Sequence, residues 1–132
     1  LGERSDVTTR ILLVEDYAPD VVAIRALLGD RFGVMEEASV SAALERLARE
    51  GADLVLLDLK VRDSQGLDGL TRILASHPEL PVIVLTSLSD RAFATQALAA
   101  GAKDYIVKGT VDAQLLSRSI LRHARRGGDG RG

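Results

Sequence analysis

The stretch Ile11-Leu12-Leu13-Val14-Glu15-Asp16 decides how the rest of this chain is read. Four branched apolar residues run without a polar interruption and then stop on two adjacent acids. Strict alternation would mark a strand with one wet face, whereas a continuous apolar run marks a strand covered on both faces. Leu54-Val55-Leu56-Leu57, followed by Asp58, repeats the pattern, and so does Val82-Ile83-Val84-Leu85, followed by Thr86 and Ser87. Two weaker runs, Val34 to Ala38 and Tyr105-Ile106-Val107, bring the candidate strands to five, the last ending on Lys108.

Helical spacing fills the gaps. Pro19 suits the first turn of a helix carrying Val21, Val22, Ile24, Leu27 and Leu28, with Gly29 near its end. Ser39 can cap a helix bearing Ala42, Ala43, Leu44 and Leu47, stopped by Gly51. Leu67, Leu70, Ile73 and Leu74 suggest a third helix, before a turn bracketed by Pro78 and Pro81. Asp90 can cap a fourth, with Phe93, Ala94, Ala97 and Leu98 on one face and Gly101 after it. Asp112 can cap a fifth, bearing Leu115, Leu116, Ile120 and Ala124. Strands alternating with helices predict an α/β fold of three layers, a doubly wound five-stranded parallel sheet between two sheets of helix. The expected domain covers residues 10–126, with residues 1–9 as an N-terminal arm and the Gly-rich residues 127–132 as a flexible tail or linker stub.

Composition narrows the function. The chain has 132 residues, enough for one core. Its 19 acids against 17 bases leave a net charge of −2, without the basic face that nucleic-acid binding leans on. Aromatics are 3%, too few for a base-stacking surface. There is no cysteine, which excludes disulfides, thiolate metal sites and a cysteine nucleophile. The apolar runs are too short to cross a membrane, and no signal peptide is visible.

In an open parallel sheet, ligands bind beyond the carboxyl ends of the strands. The residues there are Glu15 and Asp16, Asp58, Thr86 and Ser87, and Lys108. Two carboxylates about 5 Å apart repel by about 3 kcal/mol at an effective dielectric of about 20. A divalent cation relieves that, and oxygen ligands without His or Cys suit a hard ion, Mg²⁺ or Ca²⁺. A phosphoryl group would find metal, ammonium and hydroxyl donors for its oxygens, with a carboxylate as nucleophile. Asp58, ending a central strand, is the preferred nucleophile.

Taken together, Ile11 to Asp16, Leu54 to Leu59, Pro81 to Ser87 and Gly101 to Lys108 resemble the receiver domain of two-component response regulators. The resemblance implies a flavodoxin-like fold with strand order 2-1-3-4-5. It implies that Asp58 is phosphorylated by a histidine kinase or histidine phosphotransfer protein. Glu15, Asp16 and Asp58 would hold Mg²⁺ with the backbone carbonyl of Lys60, and Lys108 would grip a phosphoryl oxygen. Thr86 would swing toward the phosphoryl group and Tyr105 would shift with it, while Ser87 leaves room and offers its backbone N–H. The implied protein is a cytoplasmic signalling domain that catalyses only its own phosphorylation and dephosphorylation. It would act on an output domain or effector outside this chain, with neither nucleic acid nor membrane as a direct partner. The face made by the fourth helix, fifth strand and fifth helix would admit a homodimer.

Two positions depart from the family pattern. Gly109 follows Lys108 where a cis proline is usual, so a trans bond with unusual glycine dihedrals is expected. Arg62 stands where a proline is common, as a solvated loop residue or a cation near the site. Arg118, Arg122, Arg125 and Arg126 form a solvated face or a partner contact, and His77 and His123 read as structural. Three rival readings fit the residues less well. A dehalogenase-type phosphatase needs a second Asp where Lys60 stands, and a flavin module would meet repulsion from Glu15 and Asp16. A degenerate receiver, acting as a phosphorylation-independent interaction module, is at odds with the full set of reactive groups.

Overall fold

The structure, a computed structural model, describes residues 8–125. Five strands alternate with five helices: β1 (Arg10–Val14), α1 (Ala18–Leu28), β2 (Gly33–Glu37), α2 (Val40–Arg49), β3 (Leu54–Leu57), α3 (Asp68–Ser76), β4 (Val82–Thr86), α4 (Arg91–Ala99), β5 (Asp104–Val107) and α5 (Ala113–His123). The strands are all parallel and stand in the order β2-β1-β3-β4-β5. This is the expected three-layer, flavodoxin-like fold. The expected arm falls outside the described residues except for Thr8 and Thr9, and the expected tail and Arg126 lie wholly outside them.

The strength of each apolar run follows its place in the sheet. β1, β3 and β4 are interior strands with both faces covered, and every residue from Leu54 to Leu57 and from Val82 to Thr86 is buried. β2 and β5 are the two edges, and only Ile106 among their residues is buried. Successive side chains point to opposite faces. Leu12, Val14, Val55, Leu57, Val82 and Val84 therefore pack toward α2 and α3. Ile11, Leu13, Leu54, Leu56, Ile83 and Leu85 pack toward α1 and α5.

The helix signals hold at the ends and overreach in the middle. The side chain of Ser39 accepts from Ala42 N–H, that of Asp90 from Ala92 and Phe93, and that of Asp112 from Leu115. Gly29 and Gly51 adopt φ of 64° and 74°, left-handed positions that end α1 and α2 cheaply. Three expected core residues are not core: Val22 is 69% exposed, and Leu98 and Leu115 are each 48% exposed. The sheet covers only one stripe of each helix, so in α4 only Ala97 is buried. A second cap on α2 comes from a distance. Asp63, in the β3–α3 loop, accepts from the N–H groups of Val40 and Ser41 at 2.8 and 2.9 Å. With Leu59 and Val61 buried beneath it, that loop is fixed to the body of the domain.

Candidate functional site

β1 has β2 on one side and β3 on the other, so the strand order reverses at β1 and opens a crevice at the carboxyl ends of β1 and β3. The backbone delivers the acids to it. Glu15 N–H donates to Glu37 O and Asp58 N–H to Val14 O, both at 3.0 Å, so the sheet ladder continues one residue past each strand. Glu15 and Asp58 are thereby buried, at 3% and 6% exposure. β4 ends on buried Thr86, and β5 hands Lys108 to a 3-10 turn over Lys108–Thr110. No peptide bond among the described residues is cis, so Lys108–Gly109 is trans as expected. Gly109 is not among the glycines with positive φ, which corrects the expectation of unusual dihedrals: an ordinary 3-10 turn suffices here.

Lys108 reaches across the edge to three carboxylates. Its ammonium donates to Glu15 Oε1, to Asp20 Oδ2 at 2.6 Å and to Asp58 Oδ2 at 3.2 Å. Burial pushes the Glu15 carboxyl up to about 7; Lys108 opposes this and Asp58 adds to it. Burial alone would lower the Lys108 ammonium, but its bonds to Asp20 and Glu15 outweigh that and raise it. Asp58 Oδ1 accepts from the N–H of Lys60 at 3.2 Å. Asp16 is half-buried, and its Oδ2 accepts from the N–H of Arg62 at 2.8 Å, with the Arg62 guanidinium 3.9 Å away and 71% exposed. Arg62 therefore serves the site chiefly through its backbone.

Thr86 and Tyr105 converge on one residue. Thr86 Oγ1 accepts from Leu88 N–H at 3.4 Å, and the Tyr105 hydroxyl donates to Leu88 O at 2.7 Å. Burial, helped by Asp90, raises the Tyr105 hydroxyl above its ordinary value. Ser87 and Lys60 are exposed at the rim. Glu15, Asp58 and Lys108 are thus brought into direct contact, Asp16 stands beside them, and Thr86 and Tyr105 meet at the next loop. Among the described residues no group of three acidic or histidine side chains forms a ready-made metal cage: the Lys108 ammonium occupies the point that Glu15, Asp20 and Asp58 share, while Asp16 turns to Arg62. The donors nevertheless suit a hard cation chemically, being the oxygens of three carboxyl groups gathered at one edge.

Asp20 was not foreseen. The first turn of α1 showed Pro19 and an acid, an ordinary helix start, and nothing local announces a partner 88 residues away. Away from the site, His77 closes α3 and His123 ends α5, with no acid paired to either among the described residues. Arg125 bonds the Ala52 carbonyl, while Arg118 and Arg122 line an open cavity of about 540 Å³ beside β5.

A family model described as the response regulator receiver domain matches residues 11–120, and the chain belongs to that family. Response regulator protein PilR of Pseudomonas aeruginosa is 40% identical over 101 residues, covering 73% of this chain and 22% of its own length. Response regulator GacA of Pseudomonas viridiflava is 33% identical over 110 residues, covering 81% of this chain and 51% of its own. The chain therefore spans between about a fifth and a half of these relatives. Among solved structures, the BeF3-activated N-terminal receiver domain of Klebsiella pneumoniae RstA is similar at TM-score 0.78 and 35% identity, covering 87% of this chain and 97% of that one. A response regulator receiver domain protein from Clostridium thermocellum is similar at TM-score 0.77 and 30% identity, covering 87% and 93%. No helix among the described residues is long and apolar enough to cross a membrane.

Proposed function

We propose that this receiver domain takes a phosphoryl group onto Asp58 from a phosphohistidine of a histidine kinase or histidine phosphotransfer protein, in a Mg²⁺-dependent reaction. The observation that carries the reading is the buried Asp58 carboxylate at the sheet edge, 3.2 Å from the Lys108 ammonium and backed by Glu15. An Asp58 oxygen attacks phosphorus, the phosphorus–nitrogen bond of the donor breaks, and the imidazole leaves and takes a proton from solvent. Glu15, Asp16, Asp58 and the backbone carbonyl of Lys60 would hold Mg²⁺, which when bound would supply positive charge to the phosphoryl oxygens. Lys108 leaves the carboxylates for one of those oxygens, a charge-assisted contact that forms only once the group has arrived. Thr86 trades Leu88 N–H for another phosphoryl oxygen, Ser87 offers its N–H and leaves room, and Tyr105 follows because it holds the same loop. Water later hydrolyses the aspartyl-phosphate, and the domain catalyses nothing beyond these two steps.

The change is a local charge event that selects between two packings. It is read by an output domain or effector, and the α4–β5–α5 face admits a homodimer. The protein works in the cytoplasm, where the donor kinases draw on ATP, without direct contact to nucleic acid or membrane. Residues 10–126 carry the function. The test is incubation with Mg²⁺ and acetyl phosphate, or with beryllofluoride, of wild type beside Asp58→Asn. Wild type gains the mass of one phosphoryl group and the variant does not. A wild type that takes up neither phosphoryl nor beryllofluoride would instead establish a phosphorylation-independent interaction module, and an equally labelled variant would move the acceptor elsewhere.

A further inference from the structure

The contact between Lys108 and Asp20 has no part in the chemistry above. An ammonium has three protons, and the three acceptors around Lys108 are Glu15, Asp58 and Asp20. They are not equivalent. Glu15 and Asp58 are buried at the strand ends and belong to the set proposed to hold the cation. Asp20 sits on the first turn of α1 with its side chain 35% exposed, outside that set. Its placement is firm: Asp20 N–H donates to Tyr17 O at 3.0 Å, and Pro19 restricts the turn. A divalent cation and an ammonium repel one another when both crowd onto Glu15 and Asp58. The ammonium must then be held elsewhere, close enough to return to a phosphoryl oxygen on Asp58.

We propose that Asp20 is a positioning residue for Lys108, the acceptor that takes the ammonium when Mg²⁺ claims Glu15 and Asp58. The geometry favours this because the Asp20 bond is already made: Lys108 gives up two contacts and searches for none. Holding the long side chain by one carboxylate also spares the entropy of ordering it again for the phosphoryl group. The inference rests on the Mg²⁺-dependent reading of the site.

The experiment is a double-mutant cycle on Mg²⁺ affinity, measured by titration calorimetry on the whole chain. Wild type, Asp20→Asn, Asp20→Glu, Lys108→Ala and the Asp20→Asn/Lys108→Ala double variant are compared, each checked for folding by thermal melting. Asp20→Asn is expected to weaken Mg²⁺ binding roughly fivefold, the scale of a partly exposed charge contact. Asp20→Glu, which keeps the carboxylate, should recover most of it. With Lys108 removed, the effect of Asp20→Asn should shrink to under about twofold, since the coupling runs through the lysine. An Asp20→Asn affinity equal to wild type overturns the inference. So does an undiminished loss in the Lys108→Ala background, because Asp20 would then act on the cation through charge alone. If wild type takes up no Mg²⁺, the cation-dependent reading falls and this inference with it. Wild-type uptake that ignores Asp20 removes the inference and leaves that reading standing.

Discussion

Burial holds the Glu15 proton on the folded protein up to about pH 7, whereas the group's ordinary value is 4.5. In that window the folded state binds more protons than the unfolded one, so this group's contribution to stability falls as pH rises from about 4.5 to about 7. The ordinary behaviour of a paired carboxylate has the opposite sign. Metal-free wild type should therefore lose stability relative to Glu15→Gln across that interval, and denaturant melts of both proteins at several pH values measure it. A constant difference between them would show that Glu15 titrates normally. At this scale most of the site could be read from the chain, since Glu15, Asp58, Thr86 and Lys108 each follow an apolar run that had to be a strand. Asp20 could not, because its value lies in a lysine that only the folded sheet brings near. Nor could the turning of Asp16 toward the Arg62 amide, which depends on how the β3–α3 loop lies.

That loop matters at the level of elements. Asp63 bonds two N–H groups at the start of α2, so one loop residue caps a helix from which it is remote in sequence. Burial would raise its carboxyl, but the bonds from Ser41 and Val40 win and hold it below its ordinary value. The linkage runs in the usual direction. The stabilisation is complete above the ordinary carboxylate value and is lost as pH falls through the lowered one. Asp63→Ala should cost about 1–2 kcal/mol at neutral pH, the range for a lost N-cap, and the cost should vanish in acid. Thermal melts at neutral and acidic pH check both. Helix starts and stops were legible because capping is local chemistry, as at Ser39, Asp90 and Asp112. Helix faces were less so: Val22, Leu98 and Leu115 have the spacing of core residues, and only the position of the sheet shows that they face outward.

Across the whole molecule, the order of the strands explains which were plain in the sequence. The three interior strands must be apolar on both faces, whereas β2 and β5 at the edges need not be, and their runs are correspondingly mixed. The same order sets the site at one end of the sheet and leaves the other end to the first and last described segments. There Asp53 joins them: its N–H donates to Arg10 O at 2.8 Å, and its carbonyl accepts from Arg125 N–H at 3.1 Å. The first strand and the segment after the last helix are thus stitched to a common residue, on the side away from Asp58. Topologically the domain is close to a closed ring. A circular permutant that joins residues 8 and 125 through a short Gly-Ser linker and reopens the chain in the exposed segment after α3 should fold and take up beryllofluoride as the parent does. Modules attached at Thr8 or Arg125 would likewise hang from the blunt end of the sheet, leaving the edge that carries Asp58 uncovered.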